Sequence, residues 1–200
     1  MNVISNCCLG GHLYRTQSVV YNNPFMWCAV LYSSMKNLIL NWDTIDFTKV
    51  RCSRSDWVKC IDKNCFKLVV DSKVEVHYTH YIKDVRYTSP KVVDVDVYYA
   101  DIEKYLLTKY FERLKRMVSP PTFVILDEIP QYDYTYSNVK DLLGLSTNYK
   151  IVCITRHKDL LHYNSTNRLC ILDDSVRFDR QHCPIFYTRY ATDINKFINS

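Results

Sequence analysis

The order of apolar and polar positions divides this chain into segments of distinct period. Val3 and Ile4 are β-formers, so "VISN" at 3–6 reads as a first strand that runs into a turn at Gly10 and Gly11; "HLYRTQ" begins a short helix after it. "YNNPF" at 21–25 is a turn with Asn22, Asn23 and Pro24 as breakers. Met35, Leu38, Ile39 and Trp42 recur at helical spacing within 32–47, and serines stand where they can cap that helix. Residues 51–66 are polar and basic without a clear period, which predicts loop and short strand. "KLVVDS" and "VEVHYTHY" form a hairpin-like pair around 71–73, and "KVVDVDVYY" at 91–99 alternates strictly and predicts another strand.

The second half has a stronger period. Ile102, Leu106, Tyr110, Leu114 and Met117 fall on one face at steps of three and four, which predicts a helix over 100–119 ended by Pro120 and Pro121. "TFVILD" at 122–127 and "YKIVCIT" at 149–155 are continuous apolar runs suited to buried parallel strands. Between them a helix is expected from Ser137 to Leu143 with Gly144 as its cap, and "YTRYATDINKFINS" reads as a closing helix. Helix, strand, helix, strand is the order of a βαβ unit with a right-handed crossover. The expected fold is α/β: one domain over 1–200, three-layered and Rossmann-like, with a largely parallel central sheet. Chemistry in such sheets collects at the carboxyl ends of the strands. The loops after Asn6, Asp127 and Thr155, and the end of "VEVHYTHY", are therefore the places to look.

Composition narrows this reading. A hydrophobic fraction of 48% over 200 residues fits a globular domain and excludes disorder. No apolar run approaches the ~20 residues of a membrane span, and the start lacks the pattern of a signal peptide. A cytoplasmic protein is expected, in the host cytoplasm if the chain is viral. Nine cysteines, irregularly spaced and without a CxxC pair, fit neither a disulfide framework nor a zinc ribbon. Most read as small hydrophobes in strands, as Cys28 and Cys153 do. A net charge of +5 favours an anionic partner such as a nucleotide or phosphorylated substrate.

Several stretches carry side chains suited to chemistry. Gly10 and Gly11 are two of only three glycines, and they follow Cys7 and Cys8 at the first strand-to-loop junction. The stretch reads as a backbone cradle for an anion or substrate, flanked by Asn6, Cys8 and His12, or as a tight turn with a packed cysteine. In "VEVHYTHY", alternation puts Val74, Val76, Tyr78 and His80 on one face and Glu75, His77, Thr79 and Tyr81 on the other. His80 is then the more buried imidazole, either a general base beside Cys8 or a hydrogen-bonded core histidine. A zinc site from Cys60, Cys65, His77 and His80 is poorly spaced. Asp94 and Asp96 in "DVD" would share one face of a strand and hold a divalent cation, Mn or Mg, with its phosphates. "LDD" at 172–174 is a second short acidic candidate. Asp127 ends a buried strand, placed to bind a hydroxyl or a metal or to cap a helix. Lys104, Lys109, Arg113, Lys115 and Arg116 on the long helix form a solvated face or add phosphate affinity.

Taken in order, "ISNCCLGGHLY", "YNNPF", "VEVHYTHY", "FERLKR", "TFVILDE" and "YKIVCIT" resemble the DUF1919 family of exopolysaccharide-biosynthesis proteins over residues 3–160. The resemblance places Ser5, Asn6, Cys8, Gly10 and Gly11 in an opening motif and Tyr21, Asn22, Pro24 and Phe25 in a turn motif. His77, His80 and Tyr81 match a histidine strand, and Asp127 an acidic position. Cys7 departs from an asparagine common in the family, and Leu9 from a tryptophan. The resemblance implies glycan assembly, first as a glycosyltransferase that moves a sugar from a nucleotide sugar to a glycan acceptor, with no nucleic acid partner and no membrane span. Cys8, His80 and Asp127 are then the catalytic candidates. Ser5, Asn6, Gly10, Gly11, His12, Tyr21, Asn22, Phe25, His77, Tyr81 and Arg113 are the candidate substrate contacts. Two alternatives stand beside it. One is a Cys/His hydrolase or acyl-type transferase with Cys8 as nucleophile and His80 as base. The other is a glycan- or nucleotide-binding module without turnover.

Overall fold

A computed structural model describes residues 2–7, 9–18, 22–26, 28–54, 66–78, 95–117, 120–127, 129, 132–145, 147–163, 166–174 and 183–200. The apolar run Thr122–Leu126 (β6) is the centre of a four-stranded parallel sheet. It pairs with Val3–Ser5 (β1) on one side and Lys150–Thr155 (β7) on the other, and β7 pairs with Leu169–Asp173 (β8). A strand buried on both faces has no reason to alternate, and β6 does not. Val124, Val152 and Ile154 pack with Leu13 and Tyr14 of helix Leu9–Thr16 (α1) and with Tyr190 and Ile194 of helix Cys183–Asn199 (α5). Phe123, Ile125 and Ile151 belong to a second, larger core.

That larger core is shared with another sheet. Cys28–Val30 (β2), Val50–Arg54 (β3), Phe66–Val70 (β4) and Val74–Tyr78 (β5) form it in the order β2-β5-β4-β3, all antiparallel. The β4–β5 turn places Asp71 and Ser72 at φ 48° and 55°, a left-handed conformation that Asp tolerates through its short polar side chain. Phe66, Leu68, Val70, Val74, Val76 and Tyr78 share the larger core with residues of three helices. These are Tyr32–Asn41 (α2) through Met35, Leu38 and Ile39; Val95–Leu114 (α3) through Ile102, Leu106 and Tyr110; and Tyr136–Leu143 (α4) through Val139 and Leu142. The molecule is thus mixed α/β, with a parallel and an antiparallel sheet rather than a single parallel one. Among the described residues no helix is long and apolar enough to cross a membrane.

The outer edge of β1 is closed by side chains. Val3 N–H donates to Tyr14 Oη (3.2 Å), and Val3 O accepts from the Asn23 amide. Tyr14 in turn donates to Asn22 Oδ1, and Asn23 Oδ1 accepts from Phe25 N (2.7 Å). Tyr14 of α1 and Asn23 of the following turn therefore supply the hydrogen bonds that a further strand would otherwise provide. Just past β1, Val30 N donates to Asn6 O at 3.4 Å, which joins the two sheets.

Four local expectations are corrected. Residues 95–99 open α3 and are not a strand, while 91–94 lie outside the described residues. Extending an existing helix by a turn costs less than starting a new element, so the alternation yields to the helix that follows it. Gly10 and Gly11 are helical residues of α1, not a turn. A Cβ on Gly10 would lie 3.3 Å from Ser5 Cβ and 3.6 Å from Val3 O, so this glycine permits the helix to approach its own strand. The long helix stops at Leu114, well before the prolines, where Arg116 N and Met117 N turn to carbonyls three residues back. No side chain caps α2; Ser34 Oγ accepts from Glu75 N instead (2.8 Å).

Candidate functional site

Three parallel strands release polar residues at their carboxyl ends, and the sheet register brings these together. β6 ends in Asp127, β7 in Thr155, Arg156 and His157, and β8 in Asp173 and Asp174. Asp127 is 1% exposed. Its N–H donates to Ile154 O (3.1 Å), and its Oδ2 accepts from Thr155 Oγ1 and from Arg156 N (3.0 Å). Thr155 Oγ1 also accepts from His157 N (3.0 Å). One strand over, Asp174 is equally buried. Its N–H donates to Thr155 O (2.8 Å), and its carboxylate accepts from Arg156 Nε (3.0 Å) and Tyr190 Oη (2.9 Å). The exit of β7 is thus held between two buried carboxylates, which fixes the backbone that carries His157.

The His157 side chain is 30% exposed, so solvent and ligands reach it. Its Nε2 stands 4.0 Å from Asp127 Oδ2, within ion-pair range and beyond hydrogen-bond range. Its ring meets Tyr136 edge-on, with centroids 4.8 Å apart. Tyr136 Oη donates to Asp159 Oδ2. That bond raises the phenol above its ordinary pKa and holds the Asp159 carboxyl below its own. A carboxylate anchored by protein donors beside an accessible imidazole is an arrangement that can serve acid–base chemistry.

The opening motif is built differently. Asn6 is fully buried; its Nδ2 donates to Leu126 O (2.7 Å) and its Oδ1 accepts from Leu126 N (3.0 Å). The side chain therefore mimics one more residue of strand pairing between β1 and β6. Ser5 is buried and accepts from Cys7 N (3.4 Å). Phe25 packs in the larger core against Phe47 and Tyr110. Arg113 Nη1 donates to Met26 O (3.3 Å), tying α3 to the turn after Pro24. His77, expected on the more open face of its strand, is 2% exposed; its Nε2 lies 3.0 Å from Glu75 Oε1. Cys8, Tyr21, His80, Tyr81 and Asp94 lie outside the described residues, and so do the side chains of His12 and Asp96. Of the catalytic candidates, the described cluster contains Asp127.

Its companions Thr155, Arg156 and His157 were marked in the sequence only as the loop after "YKIVCIT", and Asp174 only as part of "LDD". The signal that finds them is positional: the polar residues immediately after each continuous apolar strand. Among the described residues no set of three or more His, Cys, Asp or Glu is arranged for a metal. Asp127 and Asp174 are turned onto protein donors with the Arg156 side chain bonded to Asp174, which opposes a dication there. Burial pushes the Cys153 thiol well above its ordinary pKa, so it stays a packing residue. Compared with protein-family models and with curated proteins, the chain matches none.

Proposed function

We propose that this protein is a glycan-biosynthesis enzyme: a glycosyltransferase that moves a sugar from a nucleotide-activated donor to a glycan acceptor, on the carboxyl-end rim of a Rossmann-like parallel sheet. The observation that carries the reading is the pair of buried Asp127 and accessible His157 at that rim. His157 takes the proton of the acceptor hydroxyl, and Asp127 stabilises the imidazolium that results. The acceptor oxygen forms its bond to the anomeric carbon as the bond from that carbon to the donor phosphate breaks. The nucleoside diphosphate leaves with the electron pair. The net charge of +5 suits such a donor, and the resemblance to the exopolysaccharide family supports the substrate class. In this reading Asp127 keeps the catalytic position expected of it, and His157 takes the proton-accepting role expected of His80.

The test is a thermal-shift panel of nucleotide sugars, with and without Mn²⁺, followed by a sugar-transfer assay. A donor present at about a hundred times its Kd stabilises by ~2.7 kcal/mol, or roughly 5–10 °C for a chain of this size. His157→Gln should keep the donor shift and lose transfer, and Cys8→Ala should keep both. No shift with any donor overturns the proposal. Transfer or hydrolysis that vanishes in Cys8→Ala favours the cysteine enzyme instead.

A further inference from the structure

A sugar acceptor must sit with one hydroxyl at His157, and the rim beside that imidazole carries an aromatic ring and an exposed carboxylate. We propose that Tyr136 and Asp159 form the acceptor subsite: the phenol ring seats the apolar face of a pyranoside, and the Asp159 carboxylate accepts from its hydroxyls, which selects neutral sugars over uronic acids. This deepens the reading above and rests on it. Tyr136 is a platform fixed at both ends. At its root it is the first residue of α4, whose cap Thr135 accepts from Asn138 N (3.3 Å) while Asn138 Nδ2 donates to Asp133 O (2.6 Å). The preceding Tyr134 is buried and donates to Val30 O (2.9 Å), which anchors the approach to the helix. At its tip, the phenol donates to Asp159 Oδ2. A ring held this way loses little freedom when a ligand lies against it.

The chemistry of the two side chains matches that of a sugar. A pyranoside has a face of C–H bonds and a girdle of hydroxyls. The negative face of an aromatic ring attracts the C–H bonds, and an ionised carboxylate takes the hydroxyls in charge-assisted hydrogen bonds. Tyr136 is half-buried, so part of its ring is open to a ligand. Its centroid lies 4.8 Å from that of His157, a separation on the scale of one pyranose ring. A sugar seated on Tyr136 therefore sets a hydroxyl at the imidazole. Asp127 and Asp174 are buried and turned onto protein donors, whereas Asp159 is exposed. The Tyr136 bond holds the Asp159 carboxyl below its ordinary pKa, so it is an anion at neutral pH. Lys140, on the next turn of α4, acts on that carboxylate more weakly than His157 does. A uronic acid brings a second carboxylate against Asp159 and is disfavoured by like-charge repulsion.

The test is saturation-transfer NMR with the methyl β-glycosides of glucose, galactose, mannose and glucuronic acid, none of which needs a donor. At least one neutral glycoside should receive saturation, most strongly at the C–H protons of one face, and the glucuronide less than the glucoside. Tyr136→Ala should remove the signal and Tyr136→Phe should keep most of it. Tyr136→Leu keeps apolar bulk without a flat face, so it gives the same comparison if Tyr136→Ala does not fold. Asp159→Asn should weaken the neutral glycoside about tenfold and narrow its advantage over the glucuronide. The control is Tyr149, which donates to Asp43 Oδ2 (2.6 Å) and stands at the opposite end of β7. Tyr149→Ala should leave the signal unchanged. No saturation of any neutral glycoside, a signal that survives both Tyr136→Ala and Tyr136→Leu, or an equal loss in Tyr149→Ala overturns the proposal. Glucuronide bound as well as glucoside overturns the role of Asp159. Tyr136-dependent binding in a protein that transfers no sugar supports the subsite while refuting the activity; transfer whose acceptor KM is unmoved by Tyr136→Ala does the reverse.

Discussion

Replacing Asn6 by Ala tests whether the opening motif is a clasp or a ligand contact. The amide makes two hydrogen bonds, both to the backbone of Leu126, a residue 120 positions away (2.7 and 3.0 Å). Alanine fills none of this, so the Leu126 N–H and C=O both lose their partner. A buried backbone group left unsatisfied costs about 1–3 kcal/mol. Leu126 is only partly buried, so water recovers part of the loss, and a total of about 2–4 kcal/mol is expected. A loss near 3 kcal/mol lowers the melting temperature of a chain this size by roughly 6–12 °C. Urea titration followed by circular dichroism gives the free energy directly. Asn6→Asp restores only the acceptor and sets a carboxylate oxygen against Leu126 O, so it should recover none of the stability. A change below about 0.5 kcal/mol for Asn6→Ala, the size typical of surface substitutions, would refute the clasp and return Asn6 to the list of substrate contacts.

Two other outcomes follow from the same junctions. Gly10→Val should destabilise by about 1–3 kcal/mol, because branched carbons would press into Ser5 and Val3 where even a Cβ is tight at 3.3 Å; an equally stable variant in a thermal melt would show that α1 can move off β1. The Asp71 carboxyl is held below its ordinary pKa, first by Lys73 and then by Asp46 N, so its contribution is present above the unfolded value of ~3.9 and is lost as pH falls through that value toward the lower folded one. Asp71→Asn, which tolerates the same left-handed backbone, should therefore melt below the parent at neutral pH and approach it as the pH falls below ~3.9, and parallel curves would contradict this.

Two strands of the parallel sheet, β6 and β7, were legible because residues buried on both faces need no alternation, and "TFVILD" and "YKIVCIT" admit few other readings; β8, only half-buried, was not. The β4–β5 hairpin was legible for the opposite reason, since Val74, Val76 and Tyr78 face the core at every second position. The existence of two sheets was not, because pairing partners are set by long-range contacts that a local pattern does not contain. Residues 95–99 misled for a related reason: Val-Asp-Val-Tyr-Tyr fits a strand by itself and a helix once the downstream steps at Ile102, Leu106 and Tyr110 are counted backward. The glycines drew attention rightly but for a different property, since Gly10 makes room for a helix rather than turning the chain. In the candidate site, Asp127 was visible as the polar end of an apolar run. His157 was not, because its value comes from the adjacency of β6 and β7, which only the sheet register supplies.

The hydrogen-bonded seam between β1 and β6 also dictates an order of events as the protein is made. Synthesis proceeds at about 5–20 residues per second, so the first strand waits several seconds for its partner. The antiparallel sheet, whose strands lie between Cys28 and Tyr78, is complete well before β6 is made. For that interval β1 has its outer edge available to Tyr14 and Asn23 but its inner edge open. The nascent chain thus carries a short apolar strand with one bonded side and one reactive side. Its capture by Thr122–Leu126, sealed by Asn6, must wait for that later strand, so slower synthesis lengthens the interval in which the inner edge stays open.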